Sequence, residues 1–220
     1  NGPAAAAARV LSAGALACGP AYRKRDEEVI LAETFTFRSI GVVRSPFHEH
    51  DGTPIQPPLA AEAEGTIELE AQYGPALADL EGFDRIWVLY LFDRATGFQP
   101  LVVPYRDDRL RGLFATRAPA RPNPIGLSSL RLLSVEGATL RVADVDILDG
   151  TPVLDVKPYV PAFDAFPGLR AGWLDERRVR AQRADRRFEH DAAGKTGNAP
   201  GEVHGHRGRL RRGRARKGSD

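Results

Sequence analysis

The chain has 220 residues, 42% of them hydrophobic and 27% charged, with a formal net charge of +2. That length suits one sizeable domain plus tails, and without an apolar run of about 18 residues nothing in it calls for a bilayer. A single cysteine, Cys18, can close no internal disulfide and offers no zinc ligand set, which points to a reducing compartment.

Residues 1–34 begin with the Ala-rich tract "AAAAARVLSAGALACG", continue with "AYRKRDEE" and carry no acidic residue before Asp26. They are expected to be a flexible or targeting segment. A faint likeness of "GALACG" to a lipoprotein cleavage site is undercut by a short apolar run whose basic flank is Arg9 alone. The sequence starts at Asn1 and contains no methionine, so a fragment or processed product is expected. A cytoplasmic location is the simplest expectation, with organellar targeting left open.

Residues 35–173 are expected to carry an all-β domain. "FTFRSIGVV" sets Phe35 and Phe37 on one alternation, "GTIELE" alternates Ile67 with Leu69, and "FDRIWVLYLF" from Phe83 to Phe92 has the composition of a buried strand. "LSSLRLLSV" and "TLRVADVDIL" flank Glu136, Gly137 and Ala138 at hairpin spacing, and "VLDVKPYV" follows the turn "DGTP". Within this span only "GPALADL" reads as helical. About six strands, many Gly/Pro turns and no alternation with long helices argue for a barrel or sandwich rather than a βαβ fold.

Residues 174–188, "LDERRVRAQRADRRF", read as a short basic helix anchored by Val179 and Phe188, and residues 189–220 as a disordered Gly/Arg-rich tail with too little apolar surface to fold. Charge is divided accordingly. From Glu176 to Asp220 there are fourteen Lys/Arg against six Asp/Glu, which leaves seventeen against twenty-three in the rest of the chain. Such an arm attracts phosphate chains at long range without reading sequence. A solvated tail with no partner is the alternative.

Several chemistries lack their residues. No G-x-x-x-x-G-K-[ST] loop and no G-x-G-x-x-G turn occurs, which argues against nucleotide hydrolysis and an ordinary Rossmann site. His48 and His50 in "HEHD" lack cysteine partners and are a weak ligand set, so no metal site is expected. A serine nucleophile would find a histidine base on the folded part only in that same loop.

Two stretches stand out instead. In "FATRAPARPNPIGLSSL", Pro122 and Pro124 stiffen the loop and present Asn123 in extended geometry, Gly126 allows a close backbone approach, and Arg117 and Arg121 offer planar forks for a carboxylate or phosphate. In "DVDILDGTPVLDVKPYVP", Asp144 and Asp146 alternate with Val145 and Ile147, so the acids face outward if the aliphatic residues face the core. A Pro-rich turn with solvated arginines and a negatively charged outer face are the plain structural alternatives.

Together with "IGVVRSPF" at 40–47, these two motifs make the chain resemble the TrmO family, also called TsaA-like or YaeB-like, over residues from about 37 to 188. The resemblance also takes in "GFDRIWVLYLF", "GWLD" and "ADRRF". It implies a single-sheeted β-barrel that binds S-adenosylmethionine, as a homodimer and without a membrane. It further implies methylation of N6 on threonylcarbamoyladenosine beside the anticodon of threonine tRNA. Carried over by position, the implied cofactor residues are Ile55, Gln56 and Pro57, then Asp93 and Arg94, Arg117, Leu127, and Asp144, Val145, Asp146 and Ile147. The chain departs from the family at Ile55, where an Arg is usual, and at Asp93, where a His is common.

A sulfonium donor makes positioning the main task of such a site. The acceptor nitrogen is conjugated to a ring and a carbonyl, so a base that removes its proton would help. Asp149 and Asp155 rank ahead of Asp146 as that base, because Asp146 is assigned to the cofactor. Arg121, Asn123, Lys157 and Tyr159 are candidates for holding the substrate's carboxylate or a phosphate, or for closing barrel turns. Two other readings stay open: a methyltransferase on a different acceptor, and a cofactor- or RNA-binding module in which Ile55 and Asp93 mark a decayed site.

Overall fold

The computed structural model describes residues 34–60, 62–176 and 181–188. The expectations for residues 1–33 and for the tail beyond residue 188 lie outside the described residues. The chain divides between Thr36 and Phe37, and the barrel belongs wholly to the second unit.

Six strands close that barrel. They are β1 (Gly41–Arg44), β2 (Gly65–Leu69), β3 (Arg85–Leu91), β6 (Ile125–Glu136), β7 (Thr139–Ala143) and β8 (Pro152–Pro158), in the spatial order β1-β2-β7-β6-β3-β8. Every pairing is antiparallel, including the β1–β8 pairing that shuts the sheet on itself. Closure removes the exposed edges that a six-stranded open sheet would leave. The expected single-sheeted all-β barrel is therefore the architecture of this protein.

Strand alternation decides which residues fill it. Val43, Ile67, Ile86, Val88, Leu130, Leu140, Val142 and Val153 are fully buried inside. Each such side chain contributes about 1.5–3 kcal/mol of hydrophobic stabilisation. β3 is not buried on both faces as its composition suggested: Ile86, Val88 and Tyr90 point in, and Arg85, Trp87, Leu89 and Leu91 alternate outward. On the neighbouring β6, Gly126, Ser128 and Leu130 take the inward register. The β6–β7 hairpin turns at Gly137, whose φ of +62° suits a residue without a Cβ.

Other expectations need correction. The strand predicted from Phe35 starts only at Gly41, and Phe37 remains exposed. Of the predicted helix "GPALADL" (residues 74–80), the first four residues are the end of a 3-10 run, Ala71–Leu77; Ala78 leaves helical geometry at ψ 136° and Asp79 takes φ +67°, which stops that helix before Leu80. The strand after the hairpin ends at Ala143, since Asp144 adopts φ +63° and turns the chain. Val145 and Ile147 still reach the core beyond that turn.

The expected basic helix over residues 174–188 is not present in its described part. Gly172–Leu174 and Arg186–Phe188 are short 3-10 turns, and between them Arg183 bridges to Pro54 in β fashion. Its backbone bonds go to the loop at 52–55: Gly52 N–H to the Ala184 carbonyl, Ala184 N–H to Thr53, and Ile55 N–H to Gln182. Residues 181–188 thus act as a strap. Phe188 locks it by packing edge-on against Tyr105, ring centres 5.3 Å apart, in a second small core with Val102, Leu113, Ala118 and Ala120. Arg187 adds bonds to the carbonyls of Val103 and Pro104. That core sits under the two-stranded sheet of β4 (Leu101–Val102) and β5 (Arg111–Gly112).

Gly126 is the tightest constraint inside the barrel. A Cβ there would meet three atoms of the Tyr90 ring, of which even the most distant, Cδ2, would be 2.7 Å away. Gly126→Ala is therefore expected to cost roughly 1–3 kcal/mol or more, as overpacking does. Gly112→Ala, with open space around it, should change urea stability by less than about 0.5 kcal/mol. Equal midpoints for the two variants would refute the packing argument.

Candidate functional site

One mouth of the barrel is roofed by loops, and a pocket opens there between the barrel floor and the strap. The floor supplies Tyr90 from β3, Asp146 and Ile147 after the Asp144 turn, and Phe92 past the end of β3. The walls are Ile55 and Gln56, the Asp93–Arg94 pair and Arg117. Seven of the residues singled out in the sequence thus converge: Ile55, Gln56, Asp93, Arg94, Arg117, Asp146 and Ile147.

Asp146 is the unusual group. It is half-buried as a residue, yet its Oδ1 is sealed from water and has no hydrogen-bond partner. Burial pushes its carboxyl up to about 7 from an ordinary 3.8, against opposing pulls from the Ser128 hydroxyl, its own backbone and the Arg117 charge. Beside it the Tyr90 hydroxyl lies 3.2 Å from Ser128 Oγ. Burial raises the Tyr90 phenol too, and the Asp146 charge adds to that rise.

The cationic walls are braced. Arg94 donates to the Asp149 carbonyl at 2.6 Å and to the His48 carbonyl at 3.2 Å. Arg117 Nη1 donates to Gln56 Oε1. That pair stands between the pocket and a second, larger cleft, to which Ile55, Gln56, Tyr105 and Arg117 also belong. Pro57 and Tyr159, two further predicted residues, line only this second cleft.

Eight predicted residues line neither. Val145 is a core residue. Asp144 is ion-paired with Arg85 and, at 3.8 Å, with Arg131. Leu127 faces outward on β6, and Asn123 is exposed. Arg121 braces its own loop through the carbonyls of Thr116 and Ala118. Asp155 and Lys157 pair with each other at 2.6 Å on β8. Asp149 accepts the Ser45 N–H and fastens the turn after β1. Of the three acids considered as a base, only Asp146 lines the pocket.

Reasoning from sequence missed Tyr90, Ser128 and Phe92. A signal existed for Ser128: it shares the inward register of Gly126 and Leu130, and a hydroxyl placed there needs a partner.

Fold and site together define a small closed barrel whose loop-roofed mouth holds cations, apolar walls and one buried acid. Residues 42–165 match the family described as "tRNA-methyltransferase O N-terminal domain", and the chain belongs to that family. It is 46% identical, over 73% of its length and 88% of the relative's, to a probable S-adenosyl-L-methionine-binding protein of Pyrococcus abyssi. It is 39% identical to the Escherichia coli tRNA (adenine(37)-N6)-methyltransferase, over 64% of each chain. The crystal structure of TrmO from Pseudomonas aeruginosa superposes with a TM-score of 0.56 at 43% identity, over 64% of this chain and 62% of that one. The chain thus spans somewhat under two thirds of the Escherichia coli and Pseudomonas proteins.

The shifted Asp146 has a measurable consequence. The folded protein keeps its proton up to about pH 7, whereas the unfolded chain releases it near 3.8. Its stabilising contribution is therefore complete below the unfolded value and is lost as pH rises through about 7. Asp146→Asn removes the charge at similar shape, so its melting temperature relative to wild type is expected to climb between about pH 4 and about pH 8. A difference that stays flat across that range would contradict a buried, charge-averse carboxyl.

Proposed function

We propose that the chain methylates N6 of threonylcarbamoyladenosine beside the anticodon of threonine tRNA, with S-adenosylmethionine as donor. The observation that carries this reading is the loop-roofed pocket that gathers seven of the eleven cofactor positions implied by the resemblance, among them Asp146 with its orphaned Oδ1. The residues suit such a donor: Arg94 and Arg117 for a carboxylate, Ile55, Phe92, Ile147 and Leu148 for the faces of an adenosine, and a carboxylate that tolerates a nearby cation. When bound, the cofactor supplies an electrophilic methyl group on sulfur.

What the chain itself contributes is placement and a proton site. The acceptor N6 must lose one proton as it gains a methyl group, and Asp146 Oδ1 takes that proton. An acid near 7 is well matched to this task, since about half of it is ionised at neutral pH and its conjugate base is still basic. Asp93, also in the pocket, lies 3.9 Å from Arg94 Nε and is assigned to orienting that arginine. The Ile55 departure removes one cation from the wall, and Arg94 and Arg117 remain to hold the donor's carboxylate.

A second copy of the chain completes the site in this reading. Leu127 and Ile125 are 48% and 37% exposed on the outer face of the barrel, with Leu89 beside Leu127 across the β3–β6 pairing. If Leu127 serves the cofactor, as its family position implies, it does so in the pocket of another copy. Leu127→Asp is expected to shift sedimentation from dimer to monomer; unchanged sedimentation would remove this element.

The decisive assay is mass spectrometry of threonine tRNA nucleosides after incubation with the full chain and cofactor. A gain of one methyl group on threonylcarbamoyladenosine is expected, and its absence with active tRNA and bound cofactor would overturn the acceptor assignment. Asp146→Asn should lower the single-turnover rate by about 10²-fold or more, and the wild-type rate should rise with pH through about 7. An unchanged rate in that variant would leave positioning as the whole mechanism.

A further inference from the structure

The second cleft has an unusual lining. The outward register of β3 puts Trp87 and Arg85 on its floor, and Tyr159 packs on Trp87 with ring centres 5.3 Å apart at 56°. Phe114, 75% exposed, and Trp173 line it as well. Trp173 is not a loose ring: its Nε1 donates to the Ala115 carbonyl at 2.9 Å, and Arg111 lies 5.1 Å over its face. Arg121 lies 5.4 Å over Phe114 in the same way.

Charge in the cleft has one sign. Arg85, Arg106 and Arg117 line it, and none of the described lining residues is acidic. Arg85 is already satisfied by Asp144. Arg106 is not: its Nε is buried without a hydrogen-bond partner, and a buried donor left unmade is costly unless a ligand's acceptor arrives. Four aromatic rings with arginines among them, and an unmet donor, form a platform for flat π-faces strung on an anionic chain.

We propose that this cleft seats an unstacked base of single-stranded RNA, with the rings of Trp87, Tyr159, Phe114 and Trp173 as stacking surfaces and Arg106 as the phosphate or base-edge donor. The proposal rests on the tRNA reading above and deepens it. Ile55, Gln56, Tyr105 and Arg117 border both cavities, so a base held here lies next to the cofactor pocket rather than on a remote face. An acidic peptide would use the arginines and leave the four rings without a flat partner, which is why RNA is favoured.

The chain contains two tryptophans, and both are in this cleft, so intrinsic fluorescence reports on it without background. The experiment titrates the full chain with an anticodon stem-loop RNA, and in parallel with inorganic polyphosphate of matched charge. Saturable quenching by RNA and little by polyphosphate is expected. Trp173→Ala should weaken RNA binding roughly ten-fold or more, and Trp173→Phe, which keeps a ring, should recover most of it. Phe114→Ala, on an exposed rim position, gives the same test without touching the barrel. Equal quenching by polyphosphate, or RNA affinity unchanged in both alanine variants, would overturn the proposal. Calorimetry with S-adenosylmethionine separates the two readings: heat without RNA quenching sinks this inference alone, and quenching without heat sinks the cofactor assignment alone.

Discussion

The contact on which the site depends is the Tyr90 ring lying across Gly126 inside the barrel. Six strands leave an interior just large enough for side chains, and a tyrosine fits only where the facing strand carries none. Its hydroxyl then needs a partner in an apolar interior, and Ser128, two residues along on the same face of β6, provides one. The ring also meets Phe92 edge-on at 5.2 Å. Tyr90 and Phe92 line the same pocket as Asp146, whose Oδ1 is sealed from water, and the loss of hydration is what lifts its pKa. The run "PIGLSSL" is thus a packing solution whose chemical result appears at Asp146, in the segment after β7.

The loops over that floor are positioned from the far end of the chain. The loop at 52–55 takes backbone bonds from residues 182–184, and the arm that makes them is held by Phe188 and Arg187 in the second small core. Ile55 and Gln56 therefore stand where they do because a strap some 130 residues downstream forms a β-bridge with their loop, with Pro54 opposite Arg183. Gln56 in turn takes Arg117 as its partner, so two motif words far apart in sequence meet through one hydrogen bond. Cutting the strap would loosen the pocket before it unfolded the barrel, since Val43, Ile67, Val88 and Leu130 pack without it.

Much of this was legible in the residues, for reasons that particular positions make plain. The barrel could be read because period-two alternation in "GTIELE" and the Gly137 turn are local signals, and local signals survive folding. The outward face of β3 could not, because Trp87, Leu89 and Leu91 are apolar and only partner strands decide which alternation is inside. The arm at 174–188 misled for the opposite reason. Its charges suit a solvated helix, but two residues, Ala184 and Phe188, find tertiary contacts that outweigh helix propensity. Asp146 was visible as a family position, but its burial and its coupling to Tyr90 and Ser128 are tertiary, and no spacing rule brings those three together.

Arg117 ties the two cavities into one electrostatic system. Its charge lowers the proton affinity of Asp146 and Tyr90, although less than burial raises it. The same guanidinium borders the aromatic cleft. An anion seated there would draw on that charge, and in a low-dielectric site such a change is felt strongly. The acid would then hold its proton more tightly when a phosphate is present than when the cleft is empty, and its basicity would be greatest once RNA is in place. Asp146 lines only the first cavity, whereas Arg117 borders both, so the Arg117–Gln56 bond fixes the one charge through which an anion in the aromatic cleft could act on the acid.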